Sequence, residues 1–120
     1  MAYVDGFVIP LPKENLEAYK KMSLACGAVW KEFGALEFRE AIGDDVPPGK
    51  VTSFPMSVDL KENETVVFSW IVYKSRRDRD RINKLVMADP RLSAENGGME
   101  NMPCDAKRMI FGGFKTMIEL

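Results

Sequence analysis

Thr65-Val66-Val67-Phe68-Ser69-Trp70-Ile71-Val72-Tyr73 carries a β-branched or aromatic residue at every position but Ser69. Such residues favour a pleated, half-buried surface, so the segment predicts a strand. Side chains alternate along a strand. Val66, Phe68, Trp70 and Val72 therefore share one face, with Thr65, Val67, Ser69, Ile71 and Tyr73 on the other. Both faces are apolar or nearly so. An antiparallel sheet backed by helices on one side leaves its other face polar. This strand instead predicts a layer on each side, helices on one and, most simply, a second subunit on the other.

Upstream, Lys61-Glu62-Asn63-Glu64 reads as a polar turn and Gly43–Lys50 as a turn-rich connection. Between them, Val51–Leu60 reads as an extended piece that Pro55 confines to an edge or a bulge. Ala35–Ile42 alternates Leu36 and Phe38 with Glu37 and Arg39, a second strand. Before it, Leu16, Tyr19, Ser23, Cys26, Trp30 and Phe33 recur at spacings of three and four, one stripe of a helix from about Lys13 to Phe33. Gly34 stands where a left-handed residue ends a helix. Gly27, inside it, costs helix propensity and marks close packing on the sheet. The first strand, Tyr3–Ile9, stops at Pro10-Leu11-Pro12.

Downstream, Ser75 caps a second helix with Asp78 as the capping-box acid. Ile82, Leu85 and Val86 give it a modest apolar face before Asp89-Pro90 ends it. Arg91–Cys104, with Gly97-Gly98 and Pro103, reads as a loop with one short helical turn near Leu92, and Lys107–Ile118 as the last strand. Strand, helix, strand, strand, helix, strand is the split βαβ order of an α+β, ferredoxin-like fold with an antiparallel sheet. Residues 1–120 then make a single domain. In that topology the first and last strands pair, which brings Gly6 near Gly112 and Gly113. Glycine in a strand marks a bulge or a close approach by backbone or ligand, so a pocket is expected beside this pair.

The chain is 46% hydrophobic and 29% charged, an ordinary globular balance. Its net charge of -1 gives no cationic field for nucleic acid. No apolar run is long enough to span a bilayer, and the N-terminus lacks the order of a signal peptide. Cys26 and Cys104 form no CxxC pair, so reduced thiols and a cytoplasmic location are expected. There is no histidine. That excludes Ser-His-Asp and Cys-His machinery within one chain, HExxH zinc sites and proximal-histidine haem. No cofactor is expected from the sequence.

Tyr3-Val4-Asp5-Gly6-Phe7, Gly43-Asp44-Asp45, Thr52-Ser53-Phe54-Pro55-Met56, Val67-Phe68-Ser69-Trp70, Met87-Ala88-Asp89-Pro90-Arg91 and Lys107-Arg108-Met109-Ile110-Phe111-Gly112-Gly113-Phe114 occur in one order along the chain. Together they resemble the YbaA-like bacterial family, a domain of unknown function. The resemblance spans essentially the whole chain. It implies a dimeric α+β barrel, in which two ferredoxin-like protomers close their sheets on one another. Some members of that superfamily are cofactor-free monooxygenases, isomerases or haem-degrading enzymes; the histidine in several of their sites is missing here.

Asp5 is a carboxylate inside an apolar strand. Burial raises such a pKa unless a cation pairs with it, and Arg108 or Lys107 on the neighbouring strand is the expected partner. Asp5 is a candidate acid or base, or one half of a structural ion pair. Trp30, Trp70 and Tyr73 suit either a mostly apolar ligand pocket or plain core and dimer packing. Asp44, Asp45 and Glu40 offer too few oxygens for a divalent ion, and no metal site is expected. Arg76–Arg81 is neutralised by its own aspartates, and Met109–Phe114 departs from the RNA-binding pattern it resembles. Cys26 reads as core and Cys104 as an exposed loop thiol. The expected ligand-binding set is Asp5, Gly6, Trp30, Trp70, Gly112 and Gly113, with Asp5, Tyr73 and Arg108 as candidates for catalysis. Three functions remain open: a homodimeric binder of a small apolar molecule, a cofactor-free oxygenase or isomerase, and a structural or partner-binding dimer.

Overall fold

In the computed structural model, which describes residues 1–92 and 102–120, the elements are β1 (Tyr3–Pro12), α1 (Leu16–Glu32), β2 (Glu37–Ile42), α2 (Phe54–Ser57), β3 (Glu64–Tyr73), α3 (Arg76–Met87) and β4 (Ile110–Lys115). The four strands form one antiparallel sheet in the order β2-β3-β1-β4. This α+β arrangement is compatible with the ferredoxin-like order expected from the sequence. β1 and β4 pair, with Gly6 directly opposite Gly112.

Strand parity gives the sheet two different faces. On the inner face Leu11, Val67, Ile71 and Tyr73 are buried against Tyr19, Cys26, Val29 and Trp30 of α1 and Ile82 and Val86 of α3. Leu11, Tyr73, Ile82 and Val86 are fully buried, and each such side chain contributes about 1.5–3 kcal/mol of transfer free energy. On the outer face, one end is covered by the segment after β2, where Val58 packs with Val8 and Val66. The rest is open. Phe68 is 45% exposed, Ile110 44% and Phe114 64%. Phe68 meets Trp70 and Phe54 edge to face or tilted, at ring separations of 5.4 and 5.8 Å.

The helix boundaries follow local chemistry. Gly34 ends α1 with φ of 117°, a backbone that side chains disfavour. A Cβ at Gly27 would lie 2.7 Å from the Phe38 ring, so the helix approaches β2 as closely as glycine allows. Ser75 Oγ accepts the Asp78 N–H at 3.1 Å and caps α3, worth about 1 kcal/mol. The Asp78 carboxylate turns to Arg81 at 2.8 Å and leaves the capping box half made.

Three sequence expectations need correction. Val51–Leu60 contains a helical turn, α2, because Ser53 Oγ caps it through the Met56 N–H at 3.0 Å and Pro55 sits in the first turn, where no donor is needed. β1 continues through Pro10 and Pro12, pairing with Val66 and Glu64. β4 leaves β1 after Val8, so this end of β1 is an edge, where proline is tolerated. β4 is shorter than Lys107–Ile118 because residues 105–108 form a turn: the Lys107 N–H donates to Asp105 Oδ1 and the Arg108 N–H to Asp105 O. The helical turn at Pro90–Leu92 is present; the middle of the expected loop, 93–101, lies outside the described residues. No described helix is long and apolar enough to cross a membrane.

Candidate functional site

Between the inner face of the sheet and helices α1 and α3 lies a cavity of about 390 Å³. Its walls are mostly apolar, formed by Phe7, Ile9, Met22, Phe38, Ile71, Met109 and Phe111. Phe7 and Phe111, opposite one another on β1 and β4, stack at 6.3 Å. Two polar groups of residues interrupt this lining.

The first is built from β1, β3, α1 and α3. Asp5 lies beside Tyr73 and Asn83, and the Arg79 guanidinium approaches its Oδ1 at 3.7 Å. Trp30 Nε1 is 3.1 Å from both Tyr73 Oη and Asn83 Oδ1, and Tyr73 Oη donates to Asn83 Oδ1 at 3.1 Å. Asp5 is buried, and burial raises its pKa; the Arg79 charge only partly offsets this. Burial likewise raises the Tyr73 phenol, so it remains a protonated donor. Arg79 also donates to Tyr3 Oη at 3.1 Å, with its guanidinium 4.9 Å from the Tyr3 ring centroid.

The glycine breaks have separate structural causes. Gly6 and Gly112 belong to the outer face, where the Phe114 ring covers both at 3.8 and 3.7 Å. Gly113, on the inner face opposite Asp5, leaves the space that Tyr3 and Arg79 occupy: a Cβ there would lie 2.7 Å from Tyr3 Cε2 and 2.9 Å from Arg79 Nη2. Phe114 and Arg79 thus fill the gap expected between the two strands.

The second polar group joins α1 to β2. Tyr19 Oη donates to Glu40 Oε2 at 2.6 Å. Glu40 stands at the rim, solvent-accessible as a residue, and lines the cavity; desolvation raises its pKa, and Tyr19 and Ser23 partly offset this. Ser23 Oγ also lines the cavity, buried, with Glu40 as a polar neighbour and no close hydrogen bond among the described residues. Burial, with Glu40 as a second influence, pushes the nearby Cys104 thiol up to about 11, the reverse of an activated thiolate.

Asp5, Trp30, Tyr73 and Gly113 line the cavity, and Gly112 borders it although its Cβ direction is outward, under Phe114. Gly6 and Trp70 do not: both point from the outer face, where Trp70 Nε1 donates to Glu37 Oε1 at 2.9 Å. The expected Asp5–Arg108 pair is replaced by Asp5–Arg79. Arg108 instead grips buried Glu64 at 2.5 and 2.9 Å, Asp105 at 2.9 Å and the carbonyls of Val58 and Asp59. Lys107 is likewise no partner of Asp5. Cys104 is half-buried, not exposed. Among the described residues no three of Asp, Glu, Cys and His converge on a metal-sized position. The sequence reading missed Arg79, Asn83 and the Tyr19–Glu40 pair. Parity held the signal for the last: Glu40 shares the face of Phe38, and Tyr19 begins the buried stripe of α1.

These features define an α+β protein with a four-stranded antiparallel sheet and an apolar cavity under its helices. Residues 2–106 match the family described as "Protein of unknown function (DUF1428)", and the chain belongs to that family. It is 50% identical over 119 residues to the "Uncharacterized protein YbaA" of Escherichia coli K12, covering 99% of each chain, and equally to that of Shigella flexneri. Among solved structures, "De novo designed protein Foldit4" aligns over 97% of this chain and 99% of its own, at 8% identity and a TM-score of 0.47.

Proposed function

We propose that this single-domain protein binds a small, largely apolar molecule in the cavity between sheet and helices, as one half of a cytoplasmic homodimer. The observation that carries the reading is the cavity of about 390 Å³. Apolar walls with a few convergent polar groups are the usual make-up of a small-molecule site. Phe7, Ile71 and Phe111 supply the apolar surface; Asp5, Trp30 and Tyr73 fix orientation, beside Gly112 and Gly113. The open outer face supports the homodimer. Phe68, Ile110 and Phe114 each expose apolar surface on this face that a second copy of the sheet would cover, giving a dimeric α+β barrel. Free cysteines, one of them buried, suit a reducing compartment.

A thermal-shift screen of small aromatic and aliphatic compounds tests the binding. A ligand at a hundred times its Kd stabilises the native state by about 2.7 kcal/mol. A broad set in which no compound raises the midpoint would refute the reading. For the dimer, sedimentation should give twice the 13.6 kDa chain mass; a clean monomer would refute it.

The raised Asp5 carboxyl beside the cavity favours a second reading, a cofactor-free oxygenase or isomerase with Asp5 as acid or base. Arg79 is its charge partner there, and Tyr73 the neighbouring donor. Unchanged turnover in Asp5→Asn would remove Asp5 from that role.

A further inference from the structure

We propose that the Tyr19–Glu40–Ser23 end of the cavity is an ammonium subsite, so that the ligand is a primary amine carried on a small apolar body. This rests on the cavity-binding reading above and names its ligand class.

The cavity is unevenly charged. At the Asp5 end, Arg79 balances the carboxylate. At the other end Glu40 accepts the Tyr19 hydroxyl, but no Lys or Arg of the described residues forms an ion pair with it. Residues 93–101 contain no basic residue. Lys20 and Lys31 of α1 border the outer side of Glu40, but their contacts run elsewhere, Lys20 to Glu17 at 3.6 Å on the surface and Lys31 Nζ to Leu36 O at 2.8 Å. Tyr19, Cys26 and Cys104 are the other titratable groups facing Glu40, and none is a cation. Glu40 thus presents a carboxylate at the cavity rim with no ion-pair partner among the described residues, and a ligand cation there gains a charge-assisted hydrogen bond.

Ser23 lies on the same wall. It is 6% exposed as a residue, its hydroxyl has Glu40 as a polar neighbour, and its Oγ makes no close hydrogen bond among the described residues. Its oxygen can therefore accept an N–H from a ligand. Glu40, Ser23 and Tyr19 offer oxygens to the same end of the cavity. An ammonium has three N–H donors and no acceptor, which matches a set of acceptor oxygens. A guanidinium fits less well, because its planar fork takes both oxygens of a carboxylate and Glu40 Oε2 already accepts Tyr19. An anion would meet Glu40 with like charge. The apolar body of the amine then lies against Phe38, Met22 and Ile71.

Calorimetric titration at neutral pH with 2-phenylethylammonium, 2-phenylethanol and 3-phenylpropionate tests the assignment, since the three share one aromatic body and differ in head-group charge. The amine should bind at least about tenfold tighter than the alcohol, as expected when a neutral hydrogen bond becomes charge-assisted. Glu40→Gln should bring the two within about twofold, chiefly through loss of amine affinity. Equal affinity for amine and alcohol in the wild-type protein, or tightest binding of the carboxylate, overturns the ammonium subsite and leaves the cavity reading standing. Failure of all three to bind overturns the ammonium subsite, and the broad thermal-shift screen then decides the cavity reading. The wild-type comparison uses no variant, so it decides the matter even if Glu40→Gln does not fold.

Discussion

Arg108→Ala should be among the most destabilising single changes in this protein, without acting on the cavity. Arg108 makes two bonds to Glu64, one to Asp105 and two to the carbonyls that follow α2. Its removal leaves the Glu64 carboxylate, 6% exposed as a residue, with only the Lys61 N–H at 2.8 Å. Breaking a buried pair in this way costs about 3–5 kcal/mol. At roughly 4 °C per kcal/mol for a chain of this size, the midpoint should fall by about 12–20 °C. The sign of the pH dependence follows from Glu64. The Arg108 hydrogen bonds hold its folded pKa below the ordinary 4.5. Its stabilising contribution is complete above that value and is lost as pH falls through the folded pKa. Urea unfolding at matched protein concentration should therefore show the gap between wild type and Arg108→Ala at its widest near neutrality and closing in acid. The double variant Glu64→Met/Arg108→Met should regain most of the loss, because apolar replacements remove the stranded charge. A neutral-pH loss under about 1 kcal/mol, or a gap that widens in acid, would refute the assignment of Arg108 as the clamp on buried Glu64.

Gly27→Ala should cost about 1–3 kcal/mol through overlap with the Phe38 ring, and Phe38→Leu should recover part of it; equal stability of Gly27→Ala and wild type in urea would count against the close approach. If the proposed dimer forms through the outer face, Phe68→Asp and Phe114→Asp should each give a 13.6 kDa monomer in sedimentation while the far-ultraviolet circular dichroism is retained. Trp30→Phe removes an N–H shared by Tyr73 and Asn83 and should cost about 1–3 kcal/mol by leaving buried acceptors short of a donor; an unchanged urea midpoint would show that the network is not maintained in solution. With its thiol pushed up to about 11, Cys104 should react with iodoacetamide at neutral pH far more slowly than in urea; equal rates would contradict its half-buried setting.

The strand order and the pairing of Gly6 with Gly112 were legible because hydrophobic period and turn residues are local properties, and one topology satisfied them. Gly27 was legible for a similar reason: a glycine on the buried stripe of a helix has few uses besides close approach. The Asp5 partner was not legible. Arg108 and Arg79 are both basic residues near predicted neighbours of β1, and only the turn at 105–108 and the docking of α3 over the inner face select between them. Val51–Leu60 was misread because a single Ser53 cap outweighed the extended bias of the residues around it. Glu40 was weighed only with Asp44 and Asp45, its neighbours in sequence. Its functional neighbour is Tyr19, 21 positions away, and that contact exists only after α1 lies across β2.

The two apolar faces of β3 therefore support two separable proposals, divided by strand parity. Residues of even number on β1, β3 and β4 face outward, towards the proposed partner copy; those of odd number face the cavity. Phe114→Asp should thus abolish dimerisation with little change in ligand affinity, and Glu40→Gln should change ligand preference with no change in mass. The β1–β4 pair is where this independence has to fail. Phe114 lies over Gly6 and Gly112 on the outer side, while Gly113, the next residue, holds open the space for Tyr3 and Arg79 behind Asp5. Gly113→Ala pushes on the phenol and guanidinium from the cavity side and on the β4 backbone that carries Phe114. It should weaken both dimerisation and binding at the Asp5 end, with the ammonium preference at Glu40 unchanged. A Gly113→Ala protein with normal mass and normal affinity would show that β4 moves freely enough to keep the two faces apart.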